Sequence, residues 1–369
     1  MKHVEDKISG ERHYNEILAE KIKALREKAL KKRRTYSEEQ LNKPVAFWIS
    51  EDRLLNDKGK ELTVILRTKG CQWALGETGG CSMCGYIQDA ADKIDQDQII
   101  NQFAYAIDEK IEELNEDPAD YILKIFNSGS FFDDCEMNDD LRKKIYQKIA
   151  DINKIKEVVL ESRAEFITPE KIAAVNEYLK DKYVEIGIGL ETVNNYIRNN
   201  YINKSLTYEK FKQTFNNCKE QNIGVKAYLL FKPPFLNEQA AIDDCSYSIT
   251  KLVDLGVNTI SINPVNIQKG SYVEKLFYQN RYRPPWFYSL FDCLKSTLES
   301  INFKETRILS DPSGAGTKRG IHNCFRRECN QNMSKKLEEF VLTQDLKELD
   351  IGDHECECKN IYEFQKDFF

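Results

Sequence analysis

The sequence lacks any apolar run of the roughly 18 residues that a membrane-spanning helix needs. Residues 1–21 are charged and contain no apolar core of the kind found in secretion signals. The net charge of −6 excludes a globally basic protein that coats nucleic acid, although it leaves room for a local basic face. These absences predict a cytoplasmic protein without a membrane segment.

Histidine is scarce, with four residues, whereas cysteine is not, with eleven. Because the cytosol is reducing, clustered cysteines there are more typical of metal ligands or catalytic groups than of disulfides. Four cysteines stand singly in the sequence, and we interpret them as small buried apolar residues. These are Cys135, Cys218, Cys245 and Cys293.

From residue 62 onward, short β-branched runs alternate with helical stretches. The predicted strands are 62–69, 121–129, 157–163, 183–192, 224–232 and 258–267. The predicted helices between and after them lie near 95–113, 139–150, 169–180, 207–221, 238–255, 271–279 and 286–300. Strands that are apolar along most of their length and alternate with helices indicate a parallel sheet buried on both faces. Six such units predict an α/β fold, a partial (β/α)6 barrel related to the TIM barrel, with a flat doubly wound sheet as the alternative.

Different segments flank this central region. Residues 1–44 form a predicted basic helical extension, with a helix over 11–34 in which the stretch 21–34 contains eight basic residues and one acidic residue. This helix either docks on the body with a solvated basic face or contacts RNA, and both interpretations stay open. Residues 45–305 form the predicted barrel. Residues 306–369 are rich in turn residues and cysteine, which predicts a small C-terminal metal-binding domain.

A cysteine-rich loop, "KGCQWALGETGGCSMCGY", directly follows the first predicted parallel strand. In parallel β/α folds, ligands bind at the carboxyl ends of the strands, so Cys71, Cys81 and Cys84 fall at the expected site edge. A closed structural zinc site takes four ligands. Three thiolates on a four-iron cluster would instead leave one iron open to substrate. A zinc site that borrows a distant fourth ligand is the alternative.

With these three cysteines, the sequence resembles the radical S-adenosylmethionine superfamily, whose usual signature is C-x3-C-x2-C after the first strand of a partial barrel. The widened C-x9-C spacing is similar to the branch that contains the Elongator catalytic subunit and the archaeal enzymes that complete archaeosine in tRNA. The resemblance implies one [4Fe-4S] cluster on Cys71, Cys81 and Cys84. It also implies that the open iron chelates S-adenosyl-L-methionine, whose one-electron cleavage gives a 5′-deoxyadenosyl radical.

The resemblance further implies S-adenosylmethionine contacts at three strand ends. "FNSGSFFD" supplies a turn for the methionine amino group, "LESRAE" supplies polar groups for the ribose and the methionine carboxylate, and "IGIGLET" supplies an adenine-side residue. The corresponding residues are Asn127, Ser128, Gly129, Ser130, Glu161, Arg163 and Glu191. From the residues alone, an ordinary turn at 127–130 and a salt-bridged pair at 161 and 163 remain alternatives.

Within the superfamily, the sequence is most similar to the radical enzymes of archaeosine formation. The cysteine loop, "FNSGSFFD", "LLFKPPFLNE" and "HNC…C" followed by C-x-C carry this resemblance from about residue 45 to the end. It implies that a partner subunit attaches lysine, through its side-chain amine, to 7-cyano-7-deazaguanosine in the tRNA D-loop. The radical enzyme then cleaves the lysine carbon–nitrogen bond as a lyase. The implied partners are tRNA, the lysine-transferring subunit and an electron donor such as ferredoxin or flavodoxin.

A second cysteine set lies near the C-terminus: Cys324, Cys329, Cys356 and Cys358. Four cysteines suit a tetrahedral structural zinc site, although C-x-C is a tight spacing, and an auxiliary iron–sulfur cluster or no metal are alternatives. His322 or His354 is a candidate to replace one sulfur. Nearby basic residues would contact RNA phosphates, or serve no binding role at all. They are Lys318, Arg319, Arg326 and Arg327.

Rival functions are distinguished by further sequence features. An Elongator-like acetyltransferase is expected to carry an acyl-coenzyme A domain, and a methylthiotransferase to carry N-terminal cluster cysteines, whereas residues 1–70 contain none. A non-enzymatic zinc protein that binds RNA would bind no iron. An unactivated alkyl carbon–nitrogen bond has no acidic neighbouring proton for acid–base catalysis, so radical chemistry suits the lyase hypothesis.

Overall fold

One sheet of eight strands, arranged in sequence order, organises the molecule in the computed structural model, which describes residues 14–352 and 356–368. The strands are β1 (Ala46–Arg53), β2 (Lys58–Leu66), β3 (Tyr121–Asn127), β4 (Ile155–Glu161), β5 (Tyr183–Glu191), β6 (Gly224–Phe231), β7 (Thr259–Pro264) and β8 (Arg307–Leu309). Strand β1 pairs with β2 in an antiparallel hairpin. All other neighbouring pairs are parallel. The predicted parallel sheet is therefore confirmed.

Helices follow most of the parallel strands. They are α1 (Glu16–Leu30), α2 (Glu38–Leu41), α3 (Gln72–Leu75), α4 (Gln96–Glu116), α5 (Asp139–Ala150), α6 (Pro169–Tyr178), α7 (Asn195–Asn200), α8 (Tyr208–Glu220), α9 (Glu238–Leu255), α10 (Tyr272–Tyr278), α11 (Phe287–Ser300), α12 (Arg327–Thr343) and α13 (Cys358–Gln365). The long barrel helices begin at side chains that accept a hydrogen bond from a backbone N–H of the first turn, which fixes where each helix starts. These capping residues are Asp95, Asn138, Thr168, Thr207 and Asn237.

The sheet curls strongly, because side chains from distant strands meet on its concave face. The Arg307 guanidinium on β8 donates to Glu157 on β4 and to Glu185 on β5, at 2.8 Å in each case. In a flat sheet with strands about 4.8 Å apart, β4 and β8 would be roughly 19 Å apart. The fold is therefore the predicted partial barrel and not the flat alternative.

The convex face of the sheet carries the main hydrophobic core. Inward-facing helix residues such as Phe103, Ile145 and Phe211 pack there against strand residues such as Val64 and Ile125, and all five are fully buried. The six predicted strands correspond to β2–β7. Strands β1 and β8 add to them, and β8 lies beyond residue 305, so the C-terminal segment contributes one strand to the sheet.

Three of the four single cysteines are buried, as predicted: Cys218, Cys245 and Cys293. The prediction is wrong for Cys135, which is exposed. Its backbone N–H donates to the Asp133 carboxylate within the polar turn that precedes α5. In the described residues, no helix combines the length and apolar character that crossing a bilayer requires.

Candidate functional site

The three loop cysteines lie at the carboxyl edge of the sheet, directly after β2. The Cys71 N–H donates to the Ser128 carbonyl at the end of β3 (3.2 Å), so the loop contacts the neighbouring strand end. Cys81 is buried and Cys71 and Cys84 are half-buried, and all three are free thiols. The structure thus brings the cysteine loop and the predicted 127–130 turn together.

Two glycines allow the loop to pack directly on neighbouring backbone. Gly79 and Gly80 have φ of +72° and +90°, which disfavour any side chain. A Cβ on Gly79 would lie 2.6 Å from Cα of Lys23 in α1, and one on Gly80 would lie 2.8 Å from Cα of Ala74 in α3. The loop therefore sits in direct contact with the N-terminal helix.

Arg26 of α1 holds this loop from inside the protein. Its side chain is only 2% exposed; Nε donates to the Gly79 carbonyl (2.9 Å) and Nη2 donates to the Cys84 carbonyl (2.7 Å). Burial raises the pKa of the Cys84 thiol, and the Arg26 charge opposes that rise. The sequence placed Arg26 in a solvated basic run, so this buried role is a correction to that interpretation.

Segments after β5 and β7 complete the loop's surroundings. Asn203 Nδ2 donates to the Gly80 carbonyl (2.7 Å), and the Trp73 indole N–H donates to the Asn203 carbonyl (2.7 Å). Ser82 donates its N–H to the Ile202 carbonyl, and its own carbonyl accepts from the Tyr272 N–H, both at 2.8 Å. Four separate chain segments thus fix the shape of the cysteine loop.

The spacing of the three sulfurs distinguishes this loop from a single-ion site. Burial raises the pKa of each thiol, and the thiols also influence one another, so they are neighbours. Across residues 14–352 and 356–368, however, the one group of three or more His, Cys, Asp or Glu ligand atoms within 4.8 Å of each other is the C-terminal set. Sulfurs that are close but more widely separated suit ligands to different iron atoms of one cluster.

The turn at 127–130 is organised by a buried carboxylate that sequence reasoning missed. Glu136 accepts hydrogen bonds from Asn127 Nδ2 (3.0 Å), from the Ser130 N–H (2.8 Å) and from the Thr68 hydroxyl. A Cβ on Gly129 would lie 1.7 Å from Glu136 Oε1, so only glycine fits there. Burial raises the pKa of Glu136 to about 7, against these three donors.

One atom of this turn is left available to a ligand. Asn127 Oδ1 is buried and has no hydrogen-bond partner. A buried carbonyl oxygen without a donor is costly, and a bound ammonium group would satisfy it. Ser130 is also buried, and its hydroxyl accepts from the Arg163 N–H (3.1 Å), which links the turn to the end of β4.

The predicted residues at the ends of β4 and β5 lie beside the cysteines. Arg163 donates Nη2 to the Lys204 carbonyl (3.0 Å) and forms an ion pair with Glu165, and its charge lowers the pKa of Cys71 and Cys81 against the effect of burial. Glu191, with φ of +69°, pairs with Lys204 Nζ at 2.7 Å. Lys204 is a second residue that the sequence did not reveal.

Glu161, in contrast, has an unengaged carboxylate. The carboxylate forms no hydrogen bond or ion pair with any residue that the structure describes, and burial raises its pKa to about 7. Beside this group, between the cysteine loop and the segment before α8, lies a cavity of about 290 Å³. Its lining residues are Trp73, Arg163, Glu165, Ser205, Leu206, Thr207 and Lys210.

The C-terminal cysteines converge as a separate set. Their four sulfurs lie within 4.8 Å of one another, and the Cys324–Cys356 and Cys329–Cys358 pairs are each separated by 3.8 Å. His322 is not a member of this set: its Nδ1 lies 2.8 Å from the Gly320 carbonyl, and burial lowers its pKa to about 4. His354 lies outside the described residues.

The predicted basic residues near this set differ in how they are engaged. Arg319 is half-buried and donates to Glu274 (2.8 Å) and to the Ile267 carbonyl (2.9 Å), so its guanidinium is already held. Lys318, Arg326 and Arg327 are exposed. Phe325, 72% exposed, lies between them, with Lys318 Nζ 5.3 Å from its ring centroid.

Comparisons with known proteins agree with this arrangement. No family model matches the chain. An uncharacterised protein of Methanocaldococcus jannaschii is 43% identical over 350 residues, which cover 94% of this chain and 93% of that protein. Archaeosine synthase subunit beta of Methanosarcina acetivorans is 36% identical over 321 residues (87% of this chain, 89% of that protein).

The subunit of the same name from Thermococcus kodakarensis is 36% identical over 315 residues, or 85% of this chain and 94% of that protein. The chain belongs to the archaeosine synthase subunit beta family. The resemblance to radical S-adenosylmethionine enzymes of archaeosine formation is thereby confirmed. Among solved structures, Elp3 of Methanocaldococcus infernus matches with a TM-score of 0.47 at 14% identity, over 65% of this chain and 59% of that chain.

We expect Arg26→Met to loosen the cysteine loop, because it leaves two buried carbonyls without a donor at a cost of about 1–3 kcal/mol each. The iron retained after anaerobic reconstitution should fall, and proteolysis between residues 71 and 84 should speed up even without iron. Lys23→Met, on the exposed side of the same helix, is the matched control. Equal loop protection and equal iron content in both variants would contradict the assignment.

Proposed function

We propose that this chain is a radical S-adenosylmethionine lyase that cleaves the lysine carbon–nitrogen bond of lysine-modified 7-cyano-7-deazaguanosine in tRNA, giving archaeosine. The observation that carries the proposal is the meeting of Cys71, Cys81 and Cys84 with the polar ends of β3, β4 and β5. Its relatives named archaeosine synthase subunit beta supply the reaction's setting.

Cys71, Cys81 and Cys84 would hold the [4Fe-4S] cluster, and their buried, widely spaced sulfurs support that role. When bound, the cluster supplies the electron that cleaves S-adenosylmethionine into a radical able to take hydrogen from an unactivated carbon. The chain's own contribution is position. The loop, held by Arg26 and Asn203, keeps the ligands at the open edge of the barrel and excludes water from the reaction.

The S-adenosylmethionine contacts follow the polar strand ends. Asn127 Oδ1 would accept from the methionine ammonium, since it is buried and unsatisfied. Arg163 provides the positive charge for the methionine carboxylate, and the unengaged Glu161 carboxylate would accept from ribose hydroxyls. Glu191, fixed by Lys204, lies on the adenine side. Backbone of Ser128, Gly129 and Ser130 shapes the turn between them.

The C-terminal cysteines would hold a structural zinc ion. Tetrahedral coordination with Zn–S bonds of about 2.3 Å separates the sulfurs by about 3.8 Å, and the two measured pairs match that separation. An auxiliary cluster would place its ligands on different irons and hold them farther apart. The Tyr288 hydroxyl, 3.3 Å from Cys358 Sγ, and Asn323 Nδ2, 3.7 Å from Cys329 Sγ, support the sulfurs from outside.

The exposed basic residues beside this zinc site would hold tRNA phosphates, and the exposed Phe325 ring offers a stacking surface for a base. Arg319 would act indirectly, since its contacts to Glu274 and Ile267 position the loop. The exposed lysines of α1 extend the basic surface. The lysine-transferring subunit and a ferredoxin or flavodoxin complete the set of partners, all in the cytoplasm.

The decisive experiment for the function is an anaerobic assay with tRNA that carries the lysine adduct. The wild-type protein should form 5′-deoxyadenosine and archaeosine, whereas Cys71→Ala, Cys81→Ala and Cys84→Ala should each form neither. Cys135→Ala, which removes an exposed thiol elsewhere, should behave as the wild type. A triple variant that still makes 5′-deoxyadenosine would refute the cluster site, and S-adenosylmethionine cleavage without archaeosine would refute the substrate.

Zinc removal is expected to act on stability and not on the iron–sulfur cluster. Cys356→Ser should lower the free energy of unfolding by more than about 2 kcal/mol, because metal-binding free energy is here folding free energy. It should leave the iron–sulfur absorbance in place. The measurement is zinc content together with denaturant unfolding. Wild-type protein produced with ample zinc but lacking a stoichiometric amount of it would contradict the zinc assignment.

Lys318, Arg326 and Arg327 changed together to Ala should weaken tRNA binding and flatten its salt dependence by about 0.9 log units per lost phosphate contact. A control of equal charge change is the triple Ala variant of Lys148, Lys156 and Lys180, which are exposed at the opposite edge of the sheet. Binding isotherms at several salt concentrations measure both. Equal slopes for the two triple variants would rule out the proposed face.

A further inference from the structure

The concave face of the sheet is filled with charged side chains, and most of them are paired. Lys124 on β3 binds Asp52 (2.6 Å) and Glu61. Arg307 on β8 binds Glu157 and Glu185 at 2.8 Å each. These two cations therefore each have two carboxylate partners.

Lys226 on β6 is the exception. It faces the same interior, since it is paired in register with Gly187 and Thr259, and Thr259 itself contacts Glu185 and Arg307. Its side chain is 3% exposed, yet the ammonium group forms no hydrogen bond or ion pair with any described residue. Burial, with the nearby Lys124 and Arg307 charges, lowers the pKa of Lys226 to about 8. A buried ammonium without a partner is unfavourable, and a bound anion would stabilise it.

Tyr228 supplies a second unsatisfied donor beside it. Its ring centroid lies 5.2 Å from Lys226 Nζ, and its hydroxyl is buried without a hydrogen-bond partner. Gly187 on the adjacent strand makes room for the ring, because a Cβ there would lie 2.9 Å from Tyr228 Cε2. The next concave positions toward the cysteine edge, Gly189 and Asn263, are half-buried, so the face opens in that direction.

We propose that Lys226 and Tyr228 bind the α-carboxylate of the substrate's lysine, an inference that rests on the proposed function. The lysine is attached to the tRNA base through its side-chain nitrogen, so its free amino-acid end is the part that can enter the barrel. Tyr228 lies three residues before the end of β6, roughly 10 Å below the edge at about 3.3 Å per residue. That depth places the pair below the cysteine loop, within reach of an extended lysine chain.

The surroundings also suit the other charge of this amino-acid end. The unengaged Glu161 carboxylate lies between Lys204 near the edge and Lys226 deeper in the barrel, and the charges of both influence it. Carboxylates outnumber cations on the concave face, so a ligand bearing only a carboxylate would be disfavoured. A zwitterion, which presents an ammonium group as well, meets both conditions.

The test compares three tRNAs in which the modified base carries lysine, cadaverine or 6-aminohexanoate. Cadaverine lacks the carboxylate, and 6-aminohexanoate lacks the α-amino group. In the wild type, kcat/KM should favour lysine over cadaverine by about 100-fold, since unpaired donors reject an analogue without the matching group. In Lys226→Met this ratio should fall below about 5-fold, and in Tyr228→Phe below about 20-fold. The preference for lysine over 6-aminohexanoate should persist in both.

Control variants distinguish a substrate site from a purely structural role. Tyr183→Phe removes a hydroxyl that is already bonded to Glu185, so it should keep the wild-type ratio. Denaturant unfolding should show that Lys226→Met remains folded, because the change removes an unpaired buried charge.

Three outcomes would count against the proposals, and they can be told apart. Unchanged lysine-to-cadaverine discrimination in Lys226→Met and Tyr228→Phe would overturn the inference. Weakened S-adenosylmethionine binding in these variants would also overturn it, by assigning the pair to the methionine carboxylate. A wild-type enzyme that cleaves S-adenosylmethionine but makes no archaeosine from the lysine-bearing tRNA would instead refute the proposed function itself.

Discussion

Buried charges need partners, and this requirement shapes the concave side of the sheet. A full β/α barrel fills its interior with branched apolar residues. Here Arg307 and Lys124 bind pairs of carboxylates that come from β1, β2, β4 and β5. Breaking such a pair would leave an uncompensated charge at a cost of about 3–5 kcal/mol. The ion pairs therefore fix the curl of the sheet and close the barrel floor, while its cysteine edge remains open.

At that open edge, a chain of contacts connects parts that are distant in sequence. Arg319 beside the C-terminal cysteines donates to the Ile267 carbonyl, and its own carbonyl accepts from the Ile267 N–H. The following residues press on the cysteine loop, where a Cβ on Gly85 would lie 2.7 Å from the Lys269 carbonyl. Arg26 holds the same loop from the N-terminal side. A zinc ion that orders the C-terminal segment would thus also stabilise the surroundings of the cluster ligands, through contiguous packing.

The sequence predicted the central architecture because the parallel strands are long, apolar and separated by capped helices. It missed β1, whose "SEDR" end looks like a loop although Asp52 is buried against Lys124. It missed β8 because three residues are too few for any periodic signal. Cysteine spacing revealed both cysteine sets, since ligand identity and spacing are local properties. Glu136 and Lys204 left no such signal, because their roles depend on contacts made only after folding.

Basic residues show why burial must be known before charge can be interpreted. Arg26 lies among seven other basic residues in the stretch 21–34, yet it alone of them is buried and bonded to the cysteine loop. Arg319 lies in a basic loop, yet an ion pair holds it in place. Lys226 lies in an apolar strand and looks like an interruption, but it is the buried cation whose charge no described carboxylate neutralises at contact distance. A charge that folding has paired explains structure. A charge that folding has buried and left unpaired indicates a ligand, and in this barrel that charge faces the interior below the three cysteines.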